Sequence, residues 1–122
     1  MNLEKVYEAF GELLYALALS DGELQKEEED RLKEIVSGHQ WESDILWSFN
    51  YEKGRRSDIK EAYQRALDVF SQYGPYREYG KFFEVLEQIA TASAGVDEEE
   101  RKLIDSFKAE LLERFQNDST IR

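Results

Sequence analysis

Several residue types that build sites or staple folds are scarce in this sequence. It has no cysteine, one proline (Pro75) and one histidine (His39) in 122 residues. Without cysteine, the chain can form neither a disulfide nor a thiolate metal site, and a lone histidine cannot supply a structural zinc site. The single proline and the few β-branched residues leave helices uninterrupted and offer little from which to build strands.

Basic charge and long apolar runs are also in short supply. The chain carries 16 Lys and Arg against 27 Asp and Glu, a formal net charge of −11. Binding to a phosphate backbone needs clustered basic residues, so we expect no nucleic-acid partner. No run approaches the ~20 apolar residues of a membrane span, and the N-terminus lacks the basic start and apolar core of a signal peptide. The sequence predicts a cytoplasmic protein without direct membrane insertion.

The chain contains a repeat. Two stretches match without a gap at a spacing of 72 residues (82 − 10, 100 − 28), apolar onto apolar and acid onto acid. The matched pairs are Phe10 and Phe82, Leu13 and Val85, Leu14 and Leu86, Leu17 and Ile89, Ala18 and Ala90, Leu24 and Val96, Glu27 and Glu99, Glu28 and Glu100, Leu32 and Ile104, and Ile35 and Phe107. Such self-similarity predicts two copies of one unit, at about residues 3–36 and 79–112, with a helical insert at 39–75.

The apolar spacing predicts an all-α fold. Apolar residues recur at intervals of three and four along the whole chain, as on one face of a helix. We expect a single domain, residues 1–116, of about six helices, with two similar helical-hairpin halves related by an approximate twofold, and a frayed tail at 117–122. Within the insert we expect a short helix near Trp41–Phe49, a turn at 52–56 and a helix capped by Ser57.

Acids are concentrated where the second helix of each copy should begin. Six of the ten residues 21–30 are acidic, and residues 97–100 are an unbroken acidic run. An EF-hand loop is excluded, because Leu17 and Leu19 would occupy positions that need oxygen ligands. The acids can stabilise helix N-termini, at about 0.3–1 kcal/mol each. Alternatively, Asp21 joins Glu27 or Glu28 in an oxygen-only site for Ca²⁺ or Mg²⁺.

The second copy weakens the metal interpretation. Ser93 stands where the first copy has Asp21, so at most one full site is expected. The second copy would contribute Asp97 or Glu100, if it contributes at all.

These two turns resemble a known family signature. Residues 16–24 read Ala-Leu-Ala-Leu-Ser-Asp-Gly-Glu-Leu, followed by Glu27 or Glu28. This resembles the tellurite-resistance TerB-like family, in which a small-residue–Asp–Gly turn precedes a bulky aliphatic residue and a helix with an early glutamate. Residues 89–97, followed by Glu99 or Glu100, look like the second such turn of that family. Ser93 and Ala94 depart from its Asp-Gly.

The resemblance implies an all-α domain without a catalytic activity, whose turn acids form a cation-binding patch; Asp21, Glu28 and Glu100 match the family's positions. Related domains are associated with stress-response operons and membrane-anchored co-chaperones. We therefore expect a non-enzymatic interaction module in a cytoplasmic stress-response or envelope-associated complex, whose turn acids either cap the helices alone or also bind Ca²⁺ or Mg²⁺. The alternatives are a metal-dependent enzyme using the acidic patch, and a purely structural helical protein with no bound ion.

Two further segments are candidates for contact with a protein partner. Residues Tyr73, Tyr76, Arg77 and Tyr79 make an aromatic loop, which suits either a partner-binding surface or the rim of the core. The insert holds the one basic concentration: Lys53, Arg55, Arg56, Lys60 and Arg65. These cations either neutralise the acidic turns internally or dock an acidic partner.

Overall fold

The fold consists of six α-helices. The computed structural model describes residues 3–20, 26–74, 79–90 and 98–121, and side chains as far as residue 116. The helices are α1 (Leu3–Leu19), α2 (Lys26–Val36), α3 (Glu42–Arg55), α4 (Ile59–Tyr73), α5 (Tyr79–Ala90) and α6 (Glu98–Ile121). The described residues contain no strand. The predicted all-α class is confirmed.

Helix α1 is the centre of the domain. It packs mainly against α3 and α4, and also touches α5 and α6. Its apolar stripe of leucines, Val6 and Phe10 is buried, and so are Ala9, Gly11 and Ala16 on its other faces. Apolar or small residues cover most of its circumference and leave Glu4, Glu8 and Glu12 along the remaining face, which explains how α1 contacts four neighbours.

Gly11 sets the distance between α1 and α3. A β-carbon built at Gly11 would lie 2.6 Å from the carbonyl oxygen of Ile45 and 2.7 Å from Cβ of Ser48. At the same crossing, the Ser48 hydroxyl donates a 2.6 Å hydrogen bond to the carbonyl of Glu8. The absence of a side chain at Gly11 therefore lets the two backbones approach closely.

A pair of glycine substitutions tests this crossing. We expect Gly11→Ala to lower the free energy of unfolding by about 1–3 kcal/mol, because a backbone must move to admit the methyl group. Gly80→Ala, also within a helix, is the matched control: a β-carbon there meets no atom within 4 Å. It should raise stability by about 0.5–1 kcal/mol through helix propensity alone. Urea unfolding measures the change in the free energy of unfolding of both variants. Changes of the same sign would contradict the close crossing of α1 and α3.

An aromatic cluster around Phe82 ties the helices together. Phe82 of α5 is fully buried and stacks on Phe10 of α1, with ring centroids 4.4 Å apart. Trp41 meets it edge-on at 5.7 Å, and Phe70 of α4 lies at 6.0 Å. One side chain thus joins α1, α4, α5 and the residue that precedes α3.

The repeat is visible in the burial pattern. Where both members of a matched pair are described, both are buried or partly buried. The exception is Glu27 and Glu99, which are both exposed. Phe10 and Phe82, which stack on each other, are themselves a matched pair. Helix α1 touches α6 and helix α2 touches α5, so each copy contacts the other crosswise. These contacts are those that an approximate twofold would give, and the twofold itself stays a prediction.

The insert differs from its predicted details. Helix α3 runs to Arg55, so the turn predicted at 52–56 is wrong. The left-handed residue that ends α3 is Arg56 (φ 55°), and Gly54 remains helical. Asp58, not Ser57, precedes α4, and neither α3 nor α4 has a side-chain cap at its N-terminus. The Ser57 carbonyl instead accepts a 2.8 Å hydrogen bond from the buried Tyr15 hydroxyl.

Helix α6 continues through 117–121, where the sequence predicts a frayed tail. Fraying is a property of local stability, which the helix bounds do not measure. The frayed tail therefore stays a prediction.

Candidate functional site

Two glutamates at matched positions of the repeat are buried. Glu28, near the start of α2, and Glu100, near the start of α6, are each 1% exposed. Their neighbours Glu27 and Glu99, which are equally close to the helix starts, are exposed. An acid that only interacts with the helix dipole can do so from the surface, so the dipole alone does not account for the burial.

Helical periodicity places both carboxylates on the core side. Glu28 precedes the buried Leu32 by four residues and Val36 by eight, along the inward face of α2. In α6, Glu100 precedes the buried Ile104 by four residues. Taking a carboxylate out of water is costly unless hydrogen bonds, a cation or protonation compensates. Both glutamates take part in interactions within the fold, and their burial at equivalent positions of the repeat indicates a role beyond solubility.

The other predicted ligands are distributed differently. Glu27 is exposed, whereas Asp21 and Asp97 lie outside the described residues. Among the described residues, no group of three acidic or histidine side chains is arranged to hold a metal ion. The described ligands are oxygen-only carboxylates, which suit Ca²⁺ or Mg²⁺ rather than a softer metal.

A groove lies between the end of α1 and the first half of α6. It has a volume of about 470 Å³ and lies among α1, α4 and α6. Ser20, which directly precedes Asp21, and Glu99, which directly precedes Glu100, both line it, together with Tyr63 and Lys60 of α4. The end of α1 in the first copy and the start of α6 in the second therefore share one surface.

The basic insert neutralises acids on several helices. Lys53 donates a 2.8 Å hydrogen bond to Glu29, an acid of the first turn of α2. Arg65 donates to Glu12 of α1 at 3.0 Å and to Glu52 of α3 at 2.9 Å. Burial raises the pKa of Glu12, and the Arg65 hydrogen bond offsets part of that rise. Internal neutralisation thus accounts for Lys53 and Arg65.

A second charged cluster joins α5 to α6. Arg101 donates two hydrogen bonds to the carboxylate of Glu87, and Lys108 donates a third at 3.2 Å. The Arg101 hydrogen bonds, with help from Lys108, lower the pKa of Glu87 to about 2. The matched positions of the first copy hold Tyr15, Glu29 and Val36, which cannot form this cluster, so it is specific to the second hairpin.

The aromatic loop contributes to the core. Tyr79 is 4% exposed, stacks on Phe70 at 4.6 Å and donates a 3.0 Å hydrogen bond to the Phe70 carbonyl. The ring and hydroxyl of Tyr79 are both used inside the fold, which favours the core-rim interpretation of this residue over partner binding. Tyr73 is partly buried against the core. Tyr76 and Arg77 lie outside the described residues.

The sequence interpretation overlooked an exposed aromatic pair on α3. Trp47 is 60% exposed and Tyr51 is 48% exposed, and their rings stack at 5.2 Å. Their spacing of four residues was a signal that they share a helix face, and their offset from Ile45 and Phe49 places that face away from the core.

No described helix combines the length and apolar composition needed to cross a membrane. No family model, curated protein or solved structure matches this chain.

Proposed function

We infer that this chain is a non-enzymatic interaction module of the TerB-like kind, whose acidic turns bind a divalent cation. The observation that carries the proposal is the burial of Glu28 and Glu100 at matched positions of the repeat. The resemblance of residues 16–28 and 89–100 to the TerB-like turns supports the same assignment. A cytoplasmic stress-response or envelope-associated complex is the setting that the resemblance implies.

The candidate cation ligands are carboxylates from both copies. Glu28, with Asp21, would supply hard oxygen ligands from the first copy, and Glu100, with Asp97, from the second. The matched burial of Glu28 and Glu100, and the crosswise contacts of α1 with α6 and of α2 with α5, support a site that draws on both copies. A Ca²⁺ or Mg²⁺ ion bound by carboxylates of both copies would tie the two hairpins together.

Cation titration of the metal-free protein tests the proposal. A ligand that binds only the folded state stabilises it by about 2.7 kcal/mol at a hundredfold excess over its dissociation constant. That corresponds to a rise of several degrees in the melting temperature of a domain this size. We expect Glu28→Gln, Glu100→Gln and Asp21→Asn each to reduce the rise by at least about half, because each removes an anionic ligand.

The exposed neighbours provide matched controls. Glu27→Gln and Glu99→Gln remove the same charge one residue earlier in each copy and should leave the cation-induced rise unchanged. A rise of less than about 1 °C in the wild type with millimolar Ca²⁺ and Mg²⁺ would contradict the cation site. If the buried-glutamate and exposed-glutamate variants reduced the cation-induced rise in melting temperature equally, the cation site would also be contradicted, because the effect would then reflect diffuse charge rather than a site.

A further inference from the structure

The second candidate surface is the outward face of α3. Trp47, Tyr51 and Arg55 are spaced four residues apart and form a continuous row, here named the α3 ladder. The Trp47 and Tyr51 rings are nearly parallel, at 11°, and the Arg55 guanidinium lies 5.3 Å from the Tyr51 ring centre. Trp47 and Tyr51 are two of the three large apolar side chains that are exposed among the described residues.

This face lacks the acidity of the rest of the protein. Every exposed residue of α3 is neutral or basic, although the chain as a whole carries 27 acids. The acids of α3 lie elsewhere: Glu42 and Asp44 are partly buried in the first turn, and Glu52 is buried against Arg65. The ladder is therefore an uncharged aromatic strip that ends in positive charge.

The cations at the end of the ladder have no acidic partner within the described fold. Seven other cations form ion pairs: Arg31, Lys53, Arg65, Arg101, Lys102, Lys108 and Arg114. No carboxylate of the described residues lies within ion-pair distance of Arg55 or of the adjacent, exposed Arg56. These two arginines are thus available to a carboxylate from outside the chain.

We propose that the α3 ladder, with Arg56, docks an acidic peptide segment of a partner protein that also carries an apolar side chain. This deepens the proposed function, on which it rests, by naming the surface and the chemistry of the partner. Exposed Trp, Tyr and Arg are the residue types that dominate binding energy in protein interfaces. Arginine binds carboxylates in a bidentate manner, and the aromatic strip offers a surface for an apolar side chain.

The net charge of −11 does not prevent this contact. At physiological ionic strength the Debye length is about 8 Å, so an acidic peptide seated on the ladder responds to nearby charges rather than to the net charge. These nearby charges are Arg55 and Arg56, together with the exposed Asp58. The same net charge disfavours the other ligand that stacks on aromatic rings, single-stranded nucleic acid, which needs a longer basic track.

Peptide selection followed by fluorescence titration tests the proposal. Random peptides of about 15 residues, displayed on phage, are selected on the immobilised full chain. We expect the enriched peptides to combine Asp or Glu with an aromatic or aliphatic residue. Trp41 and Trp47 are the two tryptophans of the chain, so a Trp41→Phe background makes the fluorescence report on Trp47 alone.

The variants separate docking from a stabilising role of the ladder within α3. Trp47→Ala and the double variant Arg55→Gln/Arg56→Gln should each weaken binding of an enriched synthetic peptide about tenfold or more, as loss of a hot-spot residue does. Lys26→Gln/Lys33→Gln removes two other exposed cations, and Leu112→Ala removes the third exposed apolar side chain. Both controls should stay within about twofold of the wild type, because exposed side chains outside the contact contribute little. The same peptide with its acids changed to amides should bind about tenfold more weakly.

Four outcomes would overturn the α3 site: enriched peptides that are neutral or basic, equal binding to the wild type and Trp47→Ala, displacement of the peptide by oligo(dT), or self-association that is lost in Trp47→Ala. Equal binding to Trp47→Ala would leave the interaction-module proposal standing. Enrichment of no peptide would count against both proposals, while the cation titration is judged separately.

Discussion

Phe82→Ala is expected to lower the free energy of unfolding by about 3–5 kcal/mol, the largest loss from any single substitution considered for this protein. Phe82 is fully buried and contacts rings from α1 and α4 and the indole of Trp41. Truncation leaves a cavity where these elements meet, and one such loss is a large share of the ~5–15 kcal/mol of a typical domain. Urea denaturation followed by circular dichroism measures it.

The adjacent phenylalanine is the matched control for this prediction. Phe83 lies on the same helix but is only partly buried, against Phe107 and the Lys108 ammonium. Phe83→Ala should therefore cost clearly less, about 1–2 kcal/mol. If Phe82→Ala does not fold, Phe82→Leu provides the measurement, with a smaller loss in the same direction. Equal losses at the two positions would contradict the central role of Phe82.

Arg65→Met is expected to destabilise the protein by about 2–4 kcal/mol near neutral pH, because it leaves two sheltered carboxylates without their cation. The side chains of Glu52 and Glu12 are 4% and 17% exposed. Arg114→Met is the matched control: Arg114 pairs with Asp68 at 2.8 Å, but Asp68 is 60% exposed. Loss of that surface pair should cost about 1 kcal/mol or less.

The Arg65→Met loss should depend on pH in a defined direction. Burial already raises the pKa of Glu12 above its ordinary 4.5, and removal of Arg65 takes away the hydrogen bond that opposes the rise. A carboxyl group whose folded pKa is raised contributes stability at low pH and loses it as pH rises through that pKa. The difference in the free energy of unfolding between the wild type and Arg65→Met should therefore narrow as pH falls from about 7 towards 4.5.

The comparison is made above pH 4.5 because Glu87 acts in the opposite direction below it. Its pKa of about 2 means that its contribution is present above 4.5 and is lost as pH falls towards 2, in both proteins. Adding Glu12→Gln and Glu52→Gln to Arg65→Met should restore much of the stability. If the difference in the free energy of unfolding between the wild type and Arg65→Met stayed constant with pH, the lost stability would come from packing of the arginine stem and not from the carboxylates.

Local periodicity carried the prediction of the fold. Residues three and four apart share a helix face whatever the rest of the chain does, so the apolar residues of α1, α5 and α6 could be assigned to the core from sequence. The same rule could have placed Glu28 with Leu32, and Glu100 with Ile104, on the inward faces. The helix bounds of the insert were harder to predict, because Gly54 is a turn signal that α3 overrides before it ends at Arg55.

Contacts between distant segments could not be predicted in the same way. That Arg65 meets Glu12 and Glu52, or that Tyr79 turns its hydroxyl towards the Phe70 carbonyl, depends on which helices lie side by side. The basic residues of the insert illustrate this. The sequence places Lys53, Arg55 and Arg56 together, yet the fold directs Lys53 to Glu29, sets Arg55 over the Tyr51 ring and leaves Arg56 exposed.

The sequence by itself determined the all-α class, the repeat with its matched residues and most of the core, because each depends on spacing along a single helix. The tertiary structure decided that α1 is the central helix, that Gly11 admits the close approach of α3, that Glu28 and Glu100 are buried while their neighbours are not, and that Trp47 and Tyr51 face outward. These features depend on which surfaces of separate helices cover one another. Burial and charge pairing are properties of that packing and not of any one segment.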